Sequence, residues 1–153
     1  MESVWDYPRP PRVERSTAHV TVTHAGRLIA DTRRSLRVLE TSHPPVYYIP
    51  AEDVRPGVLE RGAGRSYCEF KGTAGYWDVT IGGHRVPAAG WSYEQPAPPY
   101  AELAGAVAFY PGRVDECRVD AELVRPQEGG FYGGWITDDI TGPFKGAPGT
   151  LGW

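Results

Sequence analysis

Glycine and proline interrupt this chain so often that long helices have little room to form. The 153 residues include 19 glycines and 15 prolines, and both residue types destabilise the interior of a helix. Five tryptophans and nine tyrosines are also present, and aromatic residues, like valine and threonine, favour the pleated surface of a sheet. We therefore predict a mainly β fold: a compact, single-domain antiparallel sheet, barrel-like or tent-like, with one or two short helical turns.

Alternating apolar and polar residues locate individual strands. Val20 and Val22 alternate with threonines, and a turn at Ala25-Gly26 leads to a return strand over residues 28–31, which predicts a hairpin. Residues 66–86, SYCEFKGTAGYWDVTIGGHRV, predict a meander with a first turn over residues 72–75. The Gly82-Gly83 pair predicts the second turn, because a two-residue hairpin needs positive φ values.

The composition along the chain predicts one β domain with two arms. Residues 1–16 are proline-rich and extended, residues 17–126 form the β domain, and residues 127–153 form a tail rich in glycine and aromatic residues. Aromatic residues at that frequency indicate an arm packed on a surface, either that of its own domain or that of a neighbouring subunit. A homodimer is therefore one alternative.

Charge and cysteine content exclude several classes of protein. The net charge is −3 with basic and acidic residues interspersed, so we expect no nucleic-acid partner. Neither a secretion signal nor an apolar run of 18 residues is recognisable, so we expect a cytoplasmic protein without a membrane partner. Cys68 and Cys117 lack the spacing of a zinc site or a disulfide framework.

The residue types that carry chemistry do not form a standard motif. The four histidines lie in separate local contexts without metal-ligand spacing, so we predict neither a metal nor a cofactor. Alternation favours Cys68 as a small buried hydrophobic residue and places Lys71 on the opposite face of the strand, so a contact between them would require the turn at Gly72 to bring Lys71 back. His43 is the histidine that could act as an acid or base, although a simple turn residue is the more economical interpretation.

Aromatic and charged residues concentrate in neighbouring predicted strands. Such a mixture is typical of a small-ligand pocket, in which rings give contact area and charges give orientation. It is equally typical of a β core with its rim. The candidate ligand-binding residues are Arg34, Glu40, Tyr47, Tyr48, Lys71, Tyr76, Trp77, Trp91 and Tyr93.

At these positions the sequence resembles a known family. The stretches VTHAGRLIADTRRSLRVLETSHPPVYYIPAEDV, CEFKGTAGYWDV, AAGWSYEQP and AGAVAFYPGRVD are similar, in order and spacing, to the bacterial domain-of-unknown-function family 427, in its longer actinobacterial form. The resemblance implies a compact, mostly β domain in a cytosolic bacterial or fungal setting. A nucleotidyltransferase label is attached to this family, but the carboxylate pattern and glycine-led helix start of that chemistry are missing here. The family pattern falls on Arg34, Glu40, Tyr47, Tyr48, Pro50, Asp53, Cys68, Lys71, Gly72, Tyr76, Trp77, Trp91, Tyr93, Phe109 and Tyr110.

Three hypotheses for function follow from these residues. In the first, an aromatic-walled pocket binds a small anionic or planar molecule, with Arg34, Glu40 and Lys71 as polar anchors. In the second, the same pocket performs acid/base or thiol chemistry, with Glu40 or His43 as base and Cys68 or Lys71 as nucleophile. In the third, the chain is a structural module whose C-terminal arm docks on a second subunit. The sequence leaves open whether the protein is an enzyme.

Overall fold

The computed structural model describes residues 1–153, and strands dominate it. Three short 3₁₀ segments, Val4–Asp6, Ala51–Asp53 and Pro98–Leu103, are its only helical elements. None of them has the length and apolar character that a membrane-crossing helix needs. The strands are β1 Glu2–Ser3, β2 Arg12–Arg15, β3 Val20–His24, β4 Arg27–Thr32, β5 Leu36–Leu39, β6 Val46–Ile49, β7 Leu59–Cys68, β8 Gly72–Ile81, β9 His84–Ser92, β10 Val107–Phe109, β11 Glu116–Val119, β12 Glu122–Leu123, β13 Arg125–Pro126, β14 Trp135–Ile136 and β15 Ile140–Thr141.

Two antiparallel sheets build the domain. The main sheet has seven strands in the order β2-β5-β6-β10-β9-β8-β7, and the second has four in the order β12-β11-β3-β4. Val20 and Val22 of β3, Val79 of β8 and Phe109 of β10 all belong to one buried cluster of 17 residues. This first core lies between the two sheets, which bury their apolar faces against each other.

The opposite face of the main sheet carries a second core of ten buried residues. Tyr48 of β6, Trp91 of β9 and Ala108 of β10 contribute to it, and Tyr100 and Leu103 of the third 3₁₀ segment cover part of it. Because successive side chains of a strand point to opposite faces, Tyr47 and Tyr48 belong to different cores. The main sheet therefore carries a core on each face, and only the second core borders the pocket described below.

The local predictions are confirmed in most places. The hairpin of β3 and β4 turns at Ala25-Gly26, and the hairpin of β8 and β9 turns at Gly82 and Gly83, both with positive φ. The predicted turn over residues 72–75 is wrong, because β8 already begins at Gly72. Cys68 pairs directly with Gly72, so the loop between β7 and β8 is the three residues 69–71.

The C-terminal segment packs on its own domain. Its strands are only two residues long, β14 pairing with β13 and β15 pairing with β1. Trp135 anchors it in the first core: the residue is fully buried, its ring centroid lies 5.0 Å from that of Tyr47, and its indole N–H donates to the Phe109 carbonyl at 3.1 Å. Trp135 and the two strand pairs thus hold the C-terminal segment against its own domain.

Candidate functional site

A pocket of about 400 Å³ lies beside the second core. Its floor is the main sheet, and its rim comes from the β7–β8 loop, the loop between β5 and β6, and the C-terminal segment. The volume falls near the lower end of the range of small-molecule sites. The residues around it are Val38, Glu40, His43, Pro44, Val46, Tyr48, Ser66, Tyr67, Cys68, Glu69, Phe70, Lys71, Tyr76, Trp91, Tyr93, Tyr110, Gln127, Phe131, Tyr132, Gly133 and Lys145.

Four aromatic side chains form a continuous wall of this pocket. The ring centroids of Trp91 and Tyr110 are 4.6 Å apart, and Trp91 meets Tyr48 edge-on at 6.1 Å. The Trp91 indole N–H donates to the Tyr48 hydroxyl at 3.1 Å, and the ring of Tyr93 lies 6.4 Å from that of Tyr48. Burial raises the pKa of the Tyr48 and Tyr93 hydroxyls well above the usual value, so this wall is uncharged at neutral pH.

Both lysines of the chain line the pocket. Lys71 is 8% exposed, and its ammonium nitrogen lies 3.3 Å from the Cys68 sulfur and 5.8 Å from the centroid of the Tyr93 ring. The Lys145 nitrogen lies 5.5 Å from the centroid of the Tyr132 ring. Neither lysine has a carboxylate within ion-pair distance, whereas nine of the 14 arginines do. Both lysines thus bring positive charge without a carboxylate partner to the pocket, which Glu40 and Glu69 also line.

The loop between β5 and β6 places a carboxylate, that of Glu40, and an imidazole, that of His43, at the pocket. The Glu40 carboxylate lies 3.4 Å from the Arg9 guanidinium and 3.9 Å from the His43 ring nitrogen Nε2. The other ring nitrogen of His43, Nδ1, is 3.3 Å from the Gln127 side-chain nitrogen. Burial, followed by the positive charges of Lys145, Arg9 and Lys71, lowers the pKa of His43 to about 4. His43 is therefore neutral at pH 7.

Two comparisons with known proteins bear on this site. A family model described as "Domain of unknown function (DUF427)" matches residues 12–120. The chain belongs to this family. A search of curated proteins gives no match. The DUF427 segment, residues 12–120, contains the aromatic wall, Glu40, His43, Cys68 and Lys71, whereas the pocket residues from Gln127 to Lys145 lie beyond it.

Within the DUF427 segment, the structure brings six of the nine candidate ligand-binding residues together at the pocket. Tyr76 adds to the aromatic rim beside the second core. The six residues are Glu40, Tyr48, Lys71, Tyr76, Trp91 and Tyr93.

The other three candidates, Arg34, Tyr47 and Trp77, lie elsewhere. Arg34 is exposed on the surface, where its guanidinium donates to the Asp53 carboxylate at 3.0 Å and to the Glu52 carboxylate at 3.1 Å. Its charge is therefore already matched by two acidic side chains outside the pocket.

Tyr47 and Trp77 pack against the first core, across the main sheet from the pocket. Each is the immediate neighbour in sequence of a residue that lines the pocket, Tyr48 and Tyr76 respectively. Successive side chains of a strand point to opposite faces of the sheet. The sheet geometry therefore assigns one residue of each pair to the pocket and the other to the core.

The Lys71 nitrogen lies 3.3 Å from the Cys68 sulfur, so strand alternation alone, which puts the two residues on opposite faces, is wrong here, and the turn brings Lys71 back to Cys68. The three-residue loop reverses the chain after Cys68, so strand alternation no longer applies at Lys71. Cys68 is partly exposed at the edge of the second core, and it is Cys117 that is fully buried.

The sequence prediction missed the pocket wall formed by the C-terminal segment. Gln127, Phe131, Tyr132, Gly133 and Lys145 contribute to it. Two features of the sequence could have indicated that the tail lines the pocket. Aromatic residues are frequent in the tail, and one of the only two lysines of the chain lies there. No group of three or more His, Cys, Asp or Glu side chains lies close enough together to hold a metal ion.

Proposed function

We propose that this protein binds a small, planar organic anion in the pocket. The observation that carries the proposal is the pair of lysines without carboxylate partners beside an aromatic wall. A buried ammonium group without an opposite charge is costly, and Lys71 is 8% exposed. A carboxylate or phosphate of the ligand would offset that cost.

The aromatic wall suits the planar part of such a ligand. Trp91 and Tyr110 offer ring surface, and the hydroxyl groups of Tyr48 and Tyr93 remain protonated at neutral pH because burial raises their pKa. Rings of this kind provide contact area, while a few polar groups fix orientation. The low pKa of His43 adds a neutral imidazole that can form a hydrogen bond without repelling the lysines.

Titration calorimetry with a panel of aromatic carboxylates and phosphates, beginning with benzoate, tests the proposal. A hydrogen bond to a charged group contributes about 1.5–3 kcal/mol, so Lys71→Gln is expected to weaken binding about 10- to 100-fold. Arg55→Gln is the matched control, because it removes an exposed positive charge outside the pocket. Absence of binding across the panel, or equal affinity in Lys71→Gln and the native protein, would refute the proposal.

A second candidate function is thiol chemistry in the same pocket. The observation that favours it is the 3.3 Å distance between the Lys71 nitrogen and the Cys68 sulfur, since a neighbouring positive charge stabilises a thiolate nucleophile. Iodoacetamide should then alkylate Cys68 in the folded protein at neutral pH, faster than it alkylates Cys68 in Lys71→Gln. Labelling of Cys68 only after denaturation would exclude this function.

A further inference from the structure

The two pocket lysines belong to different parts of the chain. Lys71 lies in the β7–β8 loop within the DUF427 segment, and Lys145 lies in the C-terminal segment beyond it. Their ammonium groups also rest on different rings, those of Tyr93 and Tyr132. The pocket thus has two separate positive groups on two walls.

The backbone of Lys145 is held in a defined position. Its N–H donates to the Ser42 carbonyl at 2.9 Å, and its carbonyl accepts from the Gln127 side chain at 2.7 Å. Gln127 is itself buried and accepts from the Gly134 N–H at 3.1 Å. These hydrogen bonds fix the segment that presents this lysine, while its ammonium group has no carboxylate partner.

His43 lies within the field of both lysines. Its ring centroid is 5.2 Å from that of Tyr132, the ring beneath the Lys145 ammonium group. Lys145 and Lys71 both contribute to lowering its pKa. Two carboxylates line the pocket, Glu40, which lies 3.4 Å from Arg9, and Glu69; neither is within ion-pair distance of a lysine, so both ammonium groups are available to a ligand.

We propose that the ligand of this pocket carries two anionic groups joined by a planar body, one bound by Lys71 and the other by Lys145. An aromatic dicarboxylate, or a ring that carries a carboxylate and a phosphate, has this chemistry. The inference rests on the proposed function and adds to it a second anchor from outside the DUF427 segment. An anionic group bound by only one of the two lysines would leave the other ammonium group unmatched.

Matched monoanions and dianions on the same ring provide the test. At low ionic strength, isophthalate or terephthalate is expected to bind at least about 10-fold more tightly than benzoate in titration calorimetry, since a second charged hydrogen bond is added. Lys145→Gln should reduce that advantage to about 3-fold or less, because the second anion then lacks its partner. Lys145→Arg retains the charge and should retain the advantage, which also controls for folding. Arg55→Gln should leave both affinities unchanged.

An independent readout uses the rarity of lysine in this chain. Reductive methylation with ¹³C-formaldehyde labels only Lys71, Lys145 and the amino terminus, and each keeps its positive charge. The dianion is expected to shift both lysine signals with one dissociation constant. A shift of the Lys71 signal alone, or equal affinity for benzoate and both dianions, would overturn the two-anion inference and leave the proposed function intact. Absence of binding by every probe would overturn both.

Discussion

His43 should make the stability of this protein depend on pH between 7 and 5. Its pKa is about 4 in the folded protein, against an ordinary value of 6.5. The unfolded chain therefore binds a proton in this window that the folded chain does not, and stability falls as pH decreases. The contribution of His43 is fully present above pH 6.5 and is lost progressively towards pH 4.

The magnitude follows from the two pKa values. Linkage gives a loss of about 2 kcal/mol between pH 7 and pH 5, and about 3 kcal/mol over the whole window. The pKa values of Glu2, Asp53 and Asp78 are lowered from ordinary values of 4.5 and 3.8. Their protonation costs stability mainly below about pH 4.5, so these carboxylates contribute little between pH 7 and 5, and comparison with a His43 variant isolates the contribution of His43.

Urea unfolding at pH 7, 6 and 5 is the assay. The native protein should lose about 2 kcal/mol of unfolding free energy more than His43→Gln does over that range. His84→Gln, which removes an exposed histidine beside the β8–β9 turn, should retain the full decrease. An unchanged decrease in His43→Gln, or a His43 pKa near the ordinary 6.5 in an NMR titration, would refute the reasoning.

Two further predictions concern the pocket wall and the thiols. Gly133→Ala would force a Cβ into contact with the Trp91 ring, so we expect urea unfolding to show a loss of about 1–3 kcal/mol in the free energy of unfolding. Gly152 has open space around it, so Gly152→Ala should change this free energy by less than about 0.5 kcal/mol. Equal effects of the two substitutions would contradict the packing of Gly133 against Trp91. Burial raises the pKa of the Cys117 thiol, so Ellman's reagent should label Cys68 in the folded protein and Cys117 only after unfolding. Equal labelling rates for the two cysteines in the folded protein would contradict the burial of Cys117.

Much of the strand arrangement was predictable because its signals are local. Alternation located the β3–β4 hairpin, and the Gly82-Gly83 pair located the β8–β9 turn, since side-chain period and backbone φ depend on a few neighbouring residues. The turn at residues 69–71 was misplaced because Gly72, although it has a positive φ, is the first residue of β8. A glycine with that conformation can end a three-residue loop as well as begin a turn.

The sequence by itself supplied the two-residue repeat that puts Tyr47 and Tyr48 on opposite faces of one strand, although both were predicted to line one pocket. Only the tertiary structure decided which face borders a pocket, because that depends on what packs against each face. Trp135 and the second sheet complete the first core, whereas the C-terminal segment leaves a cavity beside the second. Lys71 and Lys145 are 74 positions apart in the sequence, and only long-range packing brings them to the same site.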